Sequence, residues 1–422
     1  MTRSDPPVLS SSPLASPARV GSGFILLYTL AFLSTTLLFL TPVLVTLPLK
    51  INSLVGIEDA PNNLALVAGL GALLAMFANP FFGMLSDRTT SRFGARRPWM
   101  VIGWGAGSLG IVTVALAPNV ATVMLGWCIA QVFFNALLAA MAAVLADQVP
   151  LAQRGTVAGV LGVCVPVASV GGAALVNLFA GSLLAMFLGP CVIGGFFILL
   201  FVSFLKDRHV EAESRSAWSL RAVLGIFFVN PRTNPDFAWA FSSRFLFVLA
   251  YAFLVTFLVY FLIAELGSAE ADVPQQILLG LLVQSAVVVV VSVIGGRLSD
   301  RLQRRKVFVV TAALVYAAGM FAMALAADLN GFLLAMGIGG FGFGLYMAVD
   351  LALVVEVLPN EDQVAQDLGV LNIAGALPSS IAPAVAPLIL AVGNGSYAVL
   401  YAVAGVCAIL AAATILPIRR VR

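Results

Sequence analysis

The chain has 422 residues, of which 61% are hydrophobic and 10% charged, with a formal net charge of +3. Soluble domains carry about 45–50% apolar and about 25% charged residues, so this chain could not cover its own surface and is read as an integral membrane protein. The same numbers exclude a disulfide scaffold, a nucleic-acid binder and an ordinary cytosolic enzyme.

Residues 1–22 are rich in Ser and Pro and are predicted to be a disordered N-terminus. They do not read as a cleaved signal peptide, because the apolar run that follows is too long for an h-region. A membrane-spanning helix needs roughly 20 apolar residues, and charged residues divide the chain at about that interval. Span one lies in 20–49 and span two in 60–86. The uncharged run 98–146 holds spans three and four, broken at Pro118-Asn119. The run 155–205 holds five and six, broken near Gly181-Ser182. Spans seven to ten fall near 237–264, 273–296, 307–327 and 329–357. The run 368–418 holds eleven and twelve, broken at Gly393-Asn394-Gly395-Ser396. The expected organisation is a six-helix bundle over 23–205, a cytoplasmic linker over 206–236, a second six-helix bundle over 237–417 and a tail over 418–422.

Placing both termini in the cytoplasm puts 20 of the 22 basic residues on that side. Lys50 falls outside and Arg244 within a span. Cys128, Cys164, Cys191 and Cys407 lie in apolar runs and read as small buried hydrophobes. The single histidine, His209, sits in the polar linker, so neither a catalytic metal site nor a nucleophile–His–carboxylate set is expected. No G-x-x-x-x-G-K-[ST] string occurs, which excludes ATP drive from this chain.

The two halves repeat. Gly83-Met84-Leu85-Ser86-Asp87-Arg88 follows span two, and Gly296-Arg297-Leu298-Ser299-Asp300-Arg301 follows span eight, 213 residues later. Gly159-Val160-Leu161 recurs as Gly369-Val370-Leu371, 210 residues later. Six helices plus six, related by an axis along the membrane normal, is a plan common among secondary transporters. The G-x-L-S-D-R string with its basic cluster resembles the signature loop of the major facilitator superfamily. The longer Ser86–Trp99 segment, with Leu145-Ala146-Asp147, is similar to the glycoside–pentoside–hexuronide cation symporters and sucrose–proton symporters. That resemblance implies an all-α fold of twelve helices in two six-helix halves and a central cavity lined by spans one, four, seven and ten. It also implies that Asp87 bonds to the start of span eleven. Gly83, Asp87, Arg88, Arg92, Gly94, Arg96 and Arg97, with Gly296, Asp300 and Arg301, are the candidate gating loops. Gly83 is expected to allow close helix approach, and Arg88 and Arg92 to pair with Asp87 or with lipid phosphate.

Charges inside a span are costly and mark function. Arg244 and Asp350 lie about 10 and 12 Å from the basic ends of spans seven and ten at 1.5 Å per residue. They can therefore meet, and they are the coupling candidates. Phe343 and Tyr346 share a helical face with Asp350, and Tyr251 stands seven residues from Arg244. Thr35, Gln131, Asn135 and Gln284 lie near the midplane. Together with Tyr251, Phe343 and Tyr346 they are the substrate-cavity candidates, and neutral amides, hydroxyls and rings suit an uncharged, hydroxyl-rich solute. The sodium-using branch of the resembling family carries carboxylates within spans two and four. Here neither span has one ahead of Asp87 or Asp147, so the proton is the expected coupling ion. The leading expectation is a proton-coupled sugar or glycoside symporter of the cell membrane, monomeric, without a cofactor, contacting only lipid and a small solute. The alternative is a proton-coupled exporter of hydrophobic drugs or metabolites.

Overall fold

The computed structural model describes residues 19–207, 234–302, 304–356 and 364–418. Residues 1–18 of the N-terminus expected to be disordered, most of the linker and most of the tail fall outside these residues, and Ser22 already begins the first helix. Among the described residues, 11 helical stretches are long and apolar enough to cross a membrane. The first, Ser22–Asp87, has 66 residues, more than two crossings need. Gly56 breaks it, with φ 77° and ψ 166°, a conformation that only glycine adopts without strain. Two spans result there, which makes twelve among the described residues.

Span one runs from Ser22–Thr41 through a π-helical turn at Pro42–Thr46 and continues to Gly56. Pro42 lacks the N–H that would close the helical ladder, which accommodates the wider turn. Span two is the remainder of Leu47–Asp87. Spans three and four are Arg97–Leu116 and Val120–Gln148, span five is Leu151–Gly162 continued by Cys164–Leu178, and span six is Leu183–Phe204. Spans seven to twelve are Pro235–Ala264, Val273–Leu302, Arg305–Ala324, Leu329–Glu356, Val364–Val392 and Tyr397–Ile415. The breaks read from the sequence have local causes. Asn119 caps span four by accepting from the Thr122 N–H at 2.9 Å, and Ser182 caps span six. Lys50 lies buried within its helix at the end away from the basic loops, and its Nζ donates to the Ala115 carbonyl at 3.0 Å. A buried ammonium needs such an acceptor, and the C-terminus of span three supplies it.

Each half uses the same neighbour pattern. Span one packs on five and six, two on four, and three on four and six; correspondingly seven packs on eleven and twelve, eight on ten, and nine on ten and twelve. The repeat is visible at atomic scale with an offset of 209 residues. A Cβ on Gly110 would meet the Ala130 N at 2.6 Å, and one on Gly319 would meet the Gly339 N at 2.5 Å. Gly71 faces Trp127, and Gly280 faces Met336. Arg97 donates to the carbonyls that end span six, and Lys306 to those that end span twelve, each a cation on a helix C-terminus. The halves meet along spans two and eleven and spans five and eight, and span seven also touches spans one and two. Apolar side chains such as Leu109, Phe196, Leu325 and Leu388 cover the outside, as lipid contact requires.

Candidate functional site

A cavity of about 640 Å³ lies between the halves, walled by spans one, two, four, seven and eleven. Its polar side chains are Asn79, Gln131, Asn135, Tyr251, Thr256 and Ser379, beside the indole of Trp127; among the described residues no charged residue lines it. The Asn79 Nδ2 donates to the Asn135 Oδ1 at 3.4 Å, and the Asn135 Nδ2 donates to the Gln131 carbonyl at 2.8 Å. Pro80 and Pro383 also line the wall, each four residues after another lining residue, Met76 and Ser379. Neither proline has an N–H to bond the earlier carbonyl, so each leaves an acceptor in the wall region. One turn beyond Thr256, the Tyr260 hydroxyl donates to the Pro48 carbonyl at 3.2 Å, joining spans seven and one at the end away from the basic loops.

Of the seven cavity candidates, Gln131, Asn135 and Tyr251 reach this wall. Thr35 does not: it is fully buried and its hydroxyl donates to the Ala31 carbonyl of its own helix at 2.9 Å. Gln284 packs against Gly340, and its Nε2 is buried without a partner among the described residues. Phe343 and Tyr346 point into an aromatic stack. Tyr346 lies flat on Phe247 with ring centroids 3.7 Å apart, and Phe343 lies 4.5 Å from Tyr251. Helical spacing placed these residues on inward faces, but it does not distinguish a cavity wall from a packed seam. Span ten, expected in the wall, contributes no lining residue among the described residues. Asn79 was missed. It is the lone amide in the apolar run 64–86, which is the signal that marks it.

The Arg244 Nη1 donates to the Asp350 Oδ2 at 2.7 Å, with side-chain exposures of 25% and 11%. The guanidinium lies beside Gly375 of span eleven, about where a Cβ would be 3.8 Å away. The pair is outside the cavity wall, and Tyr251, Phe343, Phe247 and Tyr346 stack in sequence between the cavity and its neighbourhood.

At the basic end, Arg96 is the centre of the loop after span two. Its side chain is 4% exposed and pairs with Asp87 and, at 2.9 Å, with Asp147 at the end of span four; it also donates to Ser86. Burial opposes its charge, but Asp147 and Asp87 outweigh that and hold its pKa above the ordinary arginine value. Arg88 and Arg92 were expected to pair with Asp87 or with lipid phosphate; the Arg92 guanidinium sits 4.8 Å over the Phe93 ring, and Arg96 makes the pair with Asp87. Asp207, just past span six, accepts from the backbone N–H groups of Arg96 and Arg97 at 2.6 and 2.9 Å, capping span three. Gly94 turns the chain there with φ +101°, and a Cβ on it would overlap Asp207. Gly83 is a further correction: a Cβ on it would meet open space, and the close approach in span two is at Gly71. Gly296 likewise has only an ordinary contact, at 3.9 Å. Arg301 is exposed at the end of span eight, and the Asp300 side chain lies outside the described residues. The expected partner of Asp87, at the start of span eleven, adjoins residues 357–363, which also lie outside them.

Comparison with known proteins agrees with this architecture. A segment of 164 residues is 28% identical to the class G tetracycline resistance protein of Vibrio anguillarum, covering 39% of this chain and 40% of that protein. The fold superposes on a D-xylose–proton symporter with a TM-score of 0.71 at 16% identity, covering 94% of this chain and 98% of that one. It superposes on the nucleoside transporter NupG with a TM-score of 0.76 at 12% identity, covering 94% and 99%. The sequence profile of the Major Facilitator Superfamily matches residues 24–283 and 272–422. Twelve spans in two repeated halves around a central cavity, together with that match, make this chain a member of the Major Facilitator Superfamily, a transporter fold.

Proposed function

We propose that the protein is a proton-coupled secondary transporter that carries an uncharged, hydroxyl-bearing solute, a sugar or glycoside, by alternating access. The observation that carries this reading is a cavity between the halves with amides, hydroxyls and rings in its wall and, among the described residues, no counter-charge for an ionic solute. About 640 Å³ lies within the range of roughly 300–1,000 Å³ for small-molecule sites. Asp350 is the carboxylate placed to carry the proton, and Arg244 its partner. Glu58 and Asp59 are exposed at the far end of span two, so they offer no buried sodium site. This reading has both termini in the cytoplasm and the protein in the cell membrane, and the basic residues at one end of the bundle support the orientation.

Reconstituted protein tested with solutes under an imposed pH gradient or sodium gradient checks this. Uphill uptake of a sugar or glycoside driven by pH alone supports it; uptake driven only by sodium, or none, refutes it. A second reading, proton-driven export of hydrophobic compounds, is favoured by the apolar share of the wall, including Phe39, Met76 and Val255, and by the partial match to a tetracycline resistance protein. Drug resistance conferred without sugar uptake selects that reading.

A further inference from the structure

The two halves build the crossing of spans two and four, and of eight and ten, in chemically different ways. With the 209-residue offset, Asn79, Gln131 and Asn135 correspond to Val288, Gly340 and Gly344. In the second half the helices approach until a Cβ on Gly344 would sit 2.8 Å from the Val288 carbonyl, and one on Gly340 would sit 2.9 Å from the Gln284 carbonyl. That crossing packs backbone to backbone with no amide at these three positions; its buried amide, Gln284, stands instead at the position of Ala75 in the first half. The amides of the first half are therefore not needed to hold the crossing. Burying amides is unfavourable unless their hydrogen bonds are satisfied. Gln131 and Asn135 are 7% and 6% exposed. Among the described residues, nothing accepts from the Gln131 Nε2 and nothing donates to the Asn79 Oδ1, and both residues border the cavity. The facing wall, from spans seven and eleven, is mainly apolar, with Ala252, Val255, Ile373, Ala376 and Pro383.

We infer that Asn79, Gln131 and Asn135 form the subsite that grips the hydroxyls of the solute, and that the solute is a glycoside with an apolar aglycone lying along spans seven and eleven. This rests on the transport reading above and narrows its substrate class. The amides supply both donors and acceptors, as a ring bearing neighbouring hydroxyls requires, and the apolar wall receives the part of the solute that has none.

The test is direct binding to the full chain in lipid nanodiscs, with phenyl β-D-glucoside, galactoside and xyloside as probes, alongside their per-O-methylated derivatives and the methyl glycosides. The unmodified protein is expected to bind at least one phenyl glycoside about 10-fold or more tighter than its per-O-methylated form, the loss expected when buried polar groups are left unpaired. It should also bind that probe tighter than the methyl glycoside. The double variant Asn79→Val, Asn135→Gly copies the pair that the second half already packs. In it the hydroxyl preference should fall to near unity while the per-O-methylated probe still binds, which also reports that the variant is folded. The single variant Asn79→Val should lower the preference at least about threefold, and it serves if the double variant is unstable. An unchanged preference in either variant, or an unmodified protein that binds none of the probes or does not discriminate among them, overturns the subsite. Discriminating binding without pH-driven uptake overturns the coupling and leaves the subsite standing.

Discussion

Replacing Arg244 with Met removes the partner of Asp350 and leaves a carboxylate among apolar groups. The 2.7 Å contact and the low exposure of Asp350 define the cost. Two unit charges about 4 Å apart interact by about 4 kcal/mol at an effective dielectric of about 20. Arg244 retains 25% exposure, so solvent screens part of that. Breaking a buried pair from one side typically costs about 3–5 kcal/mol. Arg244→Met and Asp350→Leu should therefore each destabilise by about 3 kcal/mol, whereas the double variant, with no unpaired charge left, should lose much less. The resulting coupling energy, above about 3 kcal/mol, exceeds the roughly 0.5 kcal/mol scatter expected of independent sites. Equilibrium unfolding in mixed micelles across the four-member cycle measures it. Additive losses in the double variant would show that the two charges do not stabilise each other, and the coupling role built on their contact would fall with them.

Asp350→Asn should abolish accumulation driven by a pH gradient while exchange of labelled for unlabelled solute survives, since exchange moves no net proton; persisting uphill uptake would remove Asp350 from the coupling step. Asp87→Asn should impair transport without preventing insertion, and more severely than Asp300→Asn, because Asp87 pairs with the buried Arg96; normal transport rates in Asp87→Asn would leave the loop as a membrane anchor only. Gly94→Ala should destabilise by about 1–2 kcal/mol through its left-handed backbone alone, with a further loss as Asp207 is displaced from the start of span three; an unchanged melting temperature would contradict that geometry. The melting temperature of Arg96→Met should fall further than that of Arg88→Met, since Arg96 bridges the ends of spans two and four.

The sequence by itself determined the number of spans, their breaks and the twofold repeat, because these follow from where charges can sit in a bilayer and from the string G-x-L-S-D-R recurring after spans two and eight. It also singled out Arg244 and Asp350, since a charge within an apolar run is conspicuous without any fold. Only the tertiary structure decided which polar residues meet. Thr35 and Gln131 both lie near mid-span, yet one bonds its own helix and the other borders the cavity, because a side chain's environment depends on the rotation of its helix against neighbours distant in the chain. The loop shows the same limit. Four arginines follow Asp87 within ten residues, and the turn at Gly94 and the cap from Asp207 bring Arg96 rather than Arg88 onto it. Asn79 gained its meaning only when the second half showed Val288 and Gly344 in close backbone contact where the first half has two amides, a comparison that requires the helices to be packed.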